Sequence, residues 1–79
     1  MHRRITEAIK DALTKDGRND LLNIFIDDKE TGGFWRMIII VKPSYKHLIP
    51  HIKSIGKSIG NYYGEGLCVY VWQNTIEFS

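Results

Sequence analysis

Between Tyr45 and Tyr62 the residues Tyr45, Leu48, Ile52, Ile55, Ile59 and Tyr62 recur at steps of 3, 4, 3, 4 and 3. Only a helix returns those positions to one side. The segments around it follow another period. Leu22, Ile24 and Ile26 alternate with Leu21, Asn23 and Phe25 over residues 21–27, and Phe34 to Lys42 places Trp35, Met37, Ile39 and Val41 opposite Phe34, Arg36, Ile38, Ile40 and Lys42. Period two is the mark of a strand. The second of these runs is apolar in the middle of both faces, as in a central strand covered on part of each. A helix fed by a pair of strands must lay its stripe on their sheet, so a two-layer architecture follows.

The remaining elements fit that frame. Ile5, Ala8, Ile9, Ala12 and Leu13 share one helical face, which predicts a first helix over about residues 3–15, closed by Gly17. Asp27 to Gly33 is polar and ends in two glycines, the composition of a hairpin loop. Pro43-Ser44 opens the second helix with Ser44 as its N-cap, Pro50 kinks or restarts it, and Gly64 closes it. Leu67 to Gln73 alternates as a further strand, Leu67, Val69 and Val71 opposing Cys68, Tyr70 and Trp72. Gln73-Asn74 turns it into a short last strand, Thr75 to Phe78. The expectation is an α+β two-layer sandwich in the order α-β-β-α-β-(β). Its antiparallel sheet has three or four strands, with two helices on one face. This order resembles a ferredoxin-like fold lacking its first strand, a likeness of topology that carries no function.

Composition sets the class. At 79 residues, 43% hydrophobic and 25% charged, the chain reads as one small globular domain. A single Cys68 cannot close an internal disulfide, so a reduced, cytoplasmic setting is expected. No signal peptide is expected, because Glu7, Lys10 and Asp11 interrupt the first apolar segment. The longest apolar run, Met37 to Val41, is far short of the ~18 residues of a membrane span.

Catalytic and metal-binding motifs fail on spacing. Gly56-Lys57-Ser58 ends like a phosphate loop, but the required upstream glycine falls on His51 and the segment lies within the helical pattern. Gly56 and Gly60 are spaced for close packing of the helix on its own sheet and do not match the GxxG loop of a KH module. His47 and His51 could share a helical side, yet no third or fourth ligand is spaced to complete a zinc site. Asp27, Asp28 and Glu30 lack the spacing of a calcium loop and belong at a solvated hairpin tip. Cys68 behaves as a small hydrophobe, and no serine sits in a nucleophile elbow. No enzyme activity and no cofactor are expected.

Charge is unevenly placed. The net charge is only +2, but no acidic residue occurs between Thr31 and Gly64, where Arg36, Lys42, Lys46, Lys53 and Lys57 are all basic. On a continuous helix at about 100° per residue, Lys46, Lys53 and Lys57 fall within roughly 40° of one another, nearly opposite the apolar stripe. Two functions from different classes follow. One is a protein-binding module, whether homodimer, complex subunit or inhibitor of a larger protein, acting through Ile38, Ile40, Tyr70 and Trp72 on an exposed sheet face or through a sheet edge. Trp35, on the other face with Met37, Ile39 and Val41, is assigned to the core. The alternative is a nucleic-acid-binding domain using Arg36, Lys42, Lys46, Lys53 and Lys57 to meet phosphates.

Overall fold

The computed structural model describes residues 3–15, 22–29 and 34–79. In chain order the elements are α1 (Arg3–Thr14), β1 (Leu22–Lys29), β2 (Phe34–Val41), a 3-10 helix (Pro43–Leu48), α2 (Ile49–Tyr62), β3 (Val69–Trp72) and β4 (Thr75–Phe78). The strands form one antiparallel sheet in the order β1-β2-β4-β3. This is the expected α+β order, with the last strand present and the sheet four-stranded. Asp27, Asp28 and Lys29, expected in the hairpin loop, instead continue β1 in register with β2, while Gly17, Leu21 and residues 30–33 lie outside the described residues.

Both helices pack on one side of the sheet. Ile5, Ile9 and Leu13 of α1 and Ile49 and Ile52 of α2 form a single buried cluster with Trp35, Met37, Ile39 and Val41 of β2 and Ile76 and Phe78 of β4. Two details fix the helix layer. The Trp35 indole Nε1 donates to Thr6 Oγ1 at 2.8 Å, a buried hydrogen bond from the sheet to α1. On α2, Gly56 lies against the tip of the Phe78 ring, so that a β-carbon there would overlap the ring's outer carbons. A β-carbon at Gly60 would stand 2.7 Å from the Leu67 side chain and 3.0 Å from the Glu65 carbonyl oxygen. The two glycines are therefore the close approach of α2 to what lies beneath it.

The segment expected as one helix from Ser44 is two. Pro43–Leu48 is 3-10, with Tyr45 at φ −113° and ψ 20° breaking the helical path, and α2 starts afresh at Ile49 with Pro50 in its first turn. Proline tolerates that position because the first helical amides have no partner to lose. Ser44 is no N-cap: it lies inside the 3-10 helix, whose N-cap is Lys42 with no side-chain capping bond. The restart rotates the buried stripe. Ile49, Ile52, Gly56 and Gly60 carry it, Leu48, Ile55 and Ile59 flank it, and Tyr62 is 82% exposed rather than part of it.

β3 is shorter than the expected 67–73 strand. It is joined to β4 by Gln73-Asn74, with Trp72 opposite Thr75 and Gln73 at φ 55°. Asn74 ties this turn to the central strand. Its side-chain amide donates to the Val41 carbonyl at 2.6 Å, and its own carbonyl accepts from the Val41 amide at 2.9 Å.

Candidate functional site: the open face of the sheet

Strand alternation and the observed registers decide what the uncovered side of the sheet displays. β2 turns Met37, Ile39 and Val41 to the helices, so Arg36, Ile38 and Ile40 point the other way. Residues directly opposite each other share a face. One row across the sheet is therefore Phe25, Ile38, Glu77 and Tyr70, and the next is Asn23, Ile40, Thr75 and Trp72. With strands about 4.8 Å apart, each row spans roughly 14 Å. Ile38 and Ile40 are half-buried by their neighbours, whereas Phe25 is 55%, Tyr70 64% and Trp72 73% exposed.

The face is apolar along β2, polar along β4, where Glu77 and Thr75 stand between the isoleucines and β3, and aromatic toward both edges. Its one described ion pair joins Arg36 Nη1 to Glu77 Oε1 at 3.4 Å, a diagonal contact between β2 and β4. Cys68, just before β3, is exposed and by the same alternation opens to this side. Its backbone exchanges two hydrogen bonds with Ser79, at 2.8 and 3.0 Å, which extends the β3–β4 ladder by one pair.

The sequence-derived protein-binding residues Ile38, Ile40, Tyr70 and Trp72 thus come together on one surface. Phe25 belongs with them and was missed. The alternation of 21–27 had set it apart from the Leu22/Ile24/Ile26 face, but only its register opposite Ile38 places it on the open side. Trp35 is buried among the core residues and hydrogen-bonded to Thr6.

The basic residues are not brought together in the same way. Arg36 sits on the open face, across the sheet from the helices that carry the lysines. Lys42 is exposed at the end of β2, Lys46 belongs to the 3-10 helix, and only Lys53 and Lys57 are on α2. The break at Tyr45 removes the continuous helix on which Lys46 was aligned with the other two. The rotated stripe also draws Lys53 to its margin, where it is half-buried, while Lys57 stays exposed. The same break separates His47, in the 3-10 helix, from His51 on α2. Among the described residues no three His, Cys, Asp or Glu side chains gather to hold a metal ion, and no helix is long and apolar enough to cross a membrane.

Compared with protein-family models, with curated proteins and with solved structures, the chain matches none of them.

Proposed function

We propose that this chain is a non-catalytic docking domain that binds another protein through the open face of its sheet. The observation that supports this reading is the joint exposure of Phe25, Tyr70 and Trp72 beside half-buried Ile38 and Ile40, on a side that neither described α-helix covers. A small domain leaves single apolar side chains in water at little cost. Here, however, Phe25, Ile38 and Ile40 adjoin across β1 and β2, and Tyr70 and Trp72 line the far rim beyond Glu77 and Thr75. Apolar centres with aromatics and polar groups around them are the composition of an interface. Tryptophan and tyrosine also supply large contact area with few torsions to freeze, which is why they dominate binding energy at such surfaces. The test is affinity purification and cross-linking with three forms of the protein. Wild type and Lys57→Glu should retain the same protein partner, and Phe25→Ser/Trp72→Ser should lose it while keeping its circular dichroism spectrum. Retention by the double variant would sink the proposal.

A second reading rests on a different surface. The chain has no carboxylate from residue 32 to 63, and Lys42, Lys46 and Lys57, each exposed along that stretch, are the cations that phosphates would meet. Arg36 is not one of them, since its partner is Glu77. Anisotropy of labelled DNA and RNA oligonucleotides at about 50 and 200 mM salt separates the two functions, because counterion release makes phosphate binding fall steeply over that range. No binding at the lower salt would leave these lysines as a solvated surface.

A further inference from the structure

The β3 edge offers more than side chains. Two hydrogen bonds join Cys68 to Ser79, so the amide and carbonyl of Cys68 both point toward β4. Backbone groups alternate along a strand, and Tyr70 and Trp72 therefore point the same way, while the N–H and C=O of Val69 and Val71 point out from the edge. The links from β2 to β4 agree with this phase: the Asn74 carbonyl faces β2, which leaves Thr75, Glu77 and Ser79 facing β3. The edge is also exposed on the open face at Tyr70 and Trp72 and, on the helix side, at Val71, whereas Val69 is half-buried against the core. Val71 lies on the helix side, opposite buried Ile76, yet it is 42% exposed because the helix layer does not reach it.

Edge strands of soluble proteins are normally protected by charge, proline or a bulge. From Leu67 to Trp72 there is no charged residue and no proline. The other edge strand, β1, carries Asp27, Asp28 and Lys29.

We infer that β3 pairs antiparallel with β3 of a second copy about a two-fold axis at Tyr70, joining two four-stranded sheets into one of eight. A second copy satisfies the phase of the edge without adjustment. Only Val69 and Val71 have outward backbone groups in the strand, and the two-fold sets Val69 against Val71 of the second copy, so each residue donates to and accepts from its mate. The offset between the mates is even, so helix side stays with helix side. The valines of the two copies then meet where Val71 is now exposed. Tyr70 faces its own counterpart on the open side, with Cys68 opposite Trp72. No like charges are opposed, since the strand has none. The pairing concerns backbone and stands apart from the partner proposed for the open face, which it would extend into a continuous surface.

Sedimentation equilibrium between roughly 10 µM and 1 mM, a range suited to a small interface, provides the first measurement. Wild type should rise from the 9.2 kDa of one chain toward twice that mass. Val71→Pro should remain monomeric with its circular dichroism unchanged, because proline at an outward-pointing amide removes no bond of the native ladder. Should Val71→Pro fold poorly, Cys68→Ser/Tyr70→Cys provides an independent reading. Opposed residues at a non-hydrogen-bonded pair lie about 4.5 Å apart between α-carbons, within disulfide reach, so mild oxidation should cross-link this variant almost completely. A monomer at every concentration overturns the pairing. So does a dimer that survives Val71→Pro, fails to cross-link through residue 70 and dissociates with Phe25→Ser. That last pattern would put two open faces together and leave the docking face standing with the second copy as its partner. Conversely, a dimer that Val71→Pro abolishes and residue 70 cross-links, but whose partner binding ignores Phe25→Ser/Trp72→Ser, keeps the edge pairing and removes the open-face function.

Discussion

Gly56 shows how one missing carbon sets the distance between two layers. In an isolated helix alanine would be better by about 1 kcal/mol. Here the added carbon meets the Phe78 ring, itself fully buried, so neither side can yield without disturbing the core. Overpacking of this kind typically costs 1–3 kcal/mol. Gly56→Ala should therefore lower the melting temperature by several degrees despite its better propensity, as thermal unfolding followed by circular dichroism would show. Gly60→Ala should cost less, since its β-carbon meets the half-buried Leu67 side chain, which can turn, and stands no closer than 3.0 Å to the Glu65 carbonyl oxygen. Gln73 makes the opposite case. Its φ of 55° lies where glycine is usual, and Gln73→Gly should raise the melting temperature slightly, the relief of strain outweighing the entropy of a freer unfolded chain. The sequence announced the spacing of Gly56 and Gly60 but not which aromatic would fill the gap, because that depends on the register of β4.

At the scale of elements, what could be read in advance was what a single period decides. The first helix, the two alternating runs of β1 and β2 and the short β4 all lie close to where their patterns put them. The second helix was misjudged because its apolar steps run through two kinds of helix. The pattern from Tyr45 to Tyr62 is unbroken in the sequence, yet Pro50 starts a new helix and the core shifts to Ile49, Ile52 and the glycines. The grouping of Lys46 with Lys53 and Lys57 failed for that same reason. Phe25 illustrates the other limit: alternation assigns it a side, but which side faces water depends on strand pairing far along the chain. The contact between elements also has a polar point. Thr6→Val removes the acceptor of the buried Trp35 hydrogen bond and should destabilise the protein by about 1–2 kcal/mol, while Thr6→Ser keeps most of the stability; chemical denaturation of the three forms is the check.

For the molecule as a whole, the two tryptophans occupy opposite environments and report on different events. Trp35 is buried between sheet and α1, and Trp72 is at the rim of the open face. Acrylamide should quench the emission of wild type strongly and that of Trp72→Phe only weakly. Occupation of the open face should shift the wild-type emission to shorter wavelength and leave Trp72→Phe unchanged. Strand order has a separate consequence, for the route by which the chain folds. β1 with β2 and β3 with β4 are local hairpins, each able to begin closing on its own. The seam between them, with Ile39 against Ile76, is non-local and has all of α2 in its intervening loop. Closing that loop carries the entropic cost, and only then do the helices acquire a complete floor. The rate-limiting barrier should accordingly be crossed when the two hairpins dock, so that Ile76→Val slows folding while Val71→Ala, out at the edge, chiefly hastens unfolding.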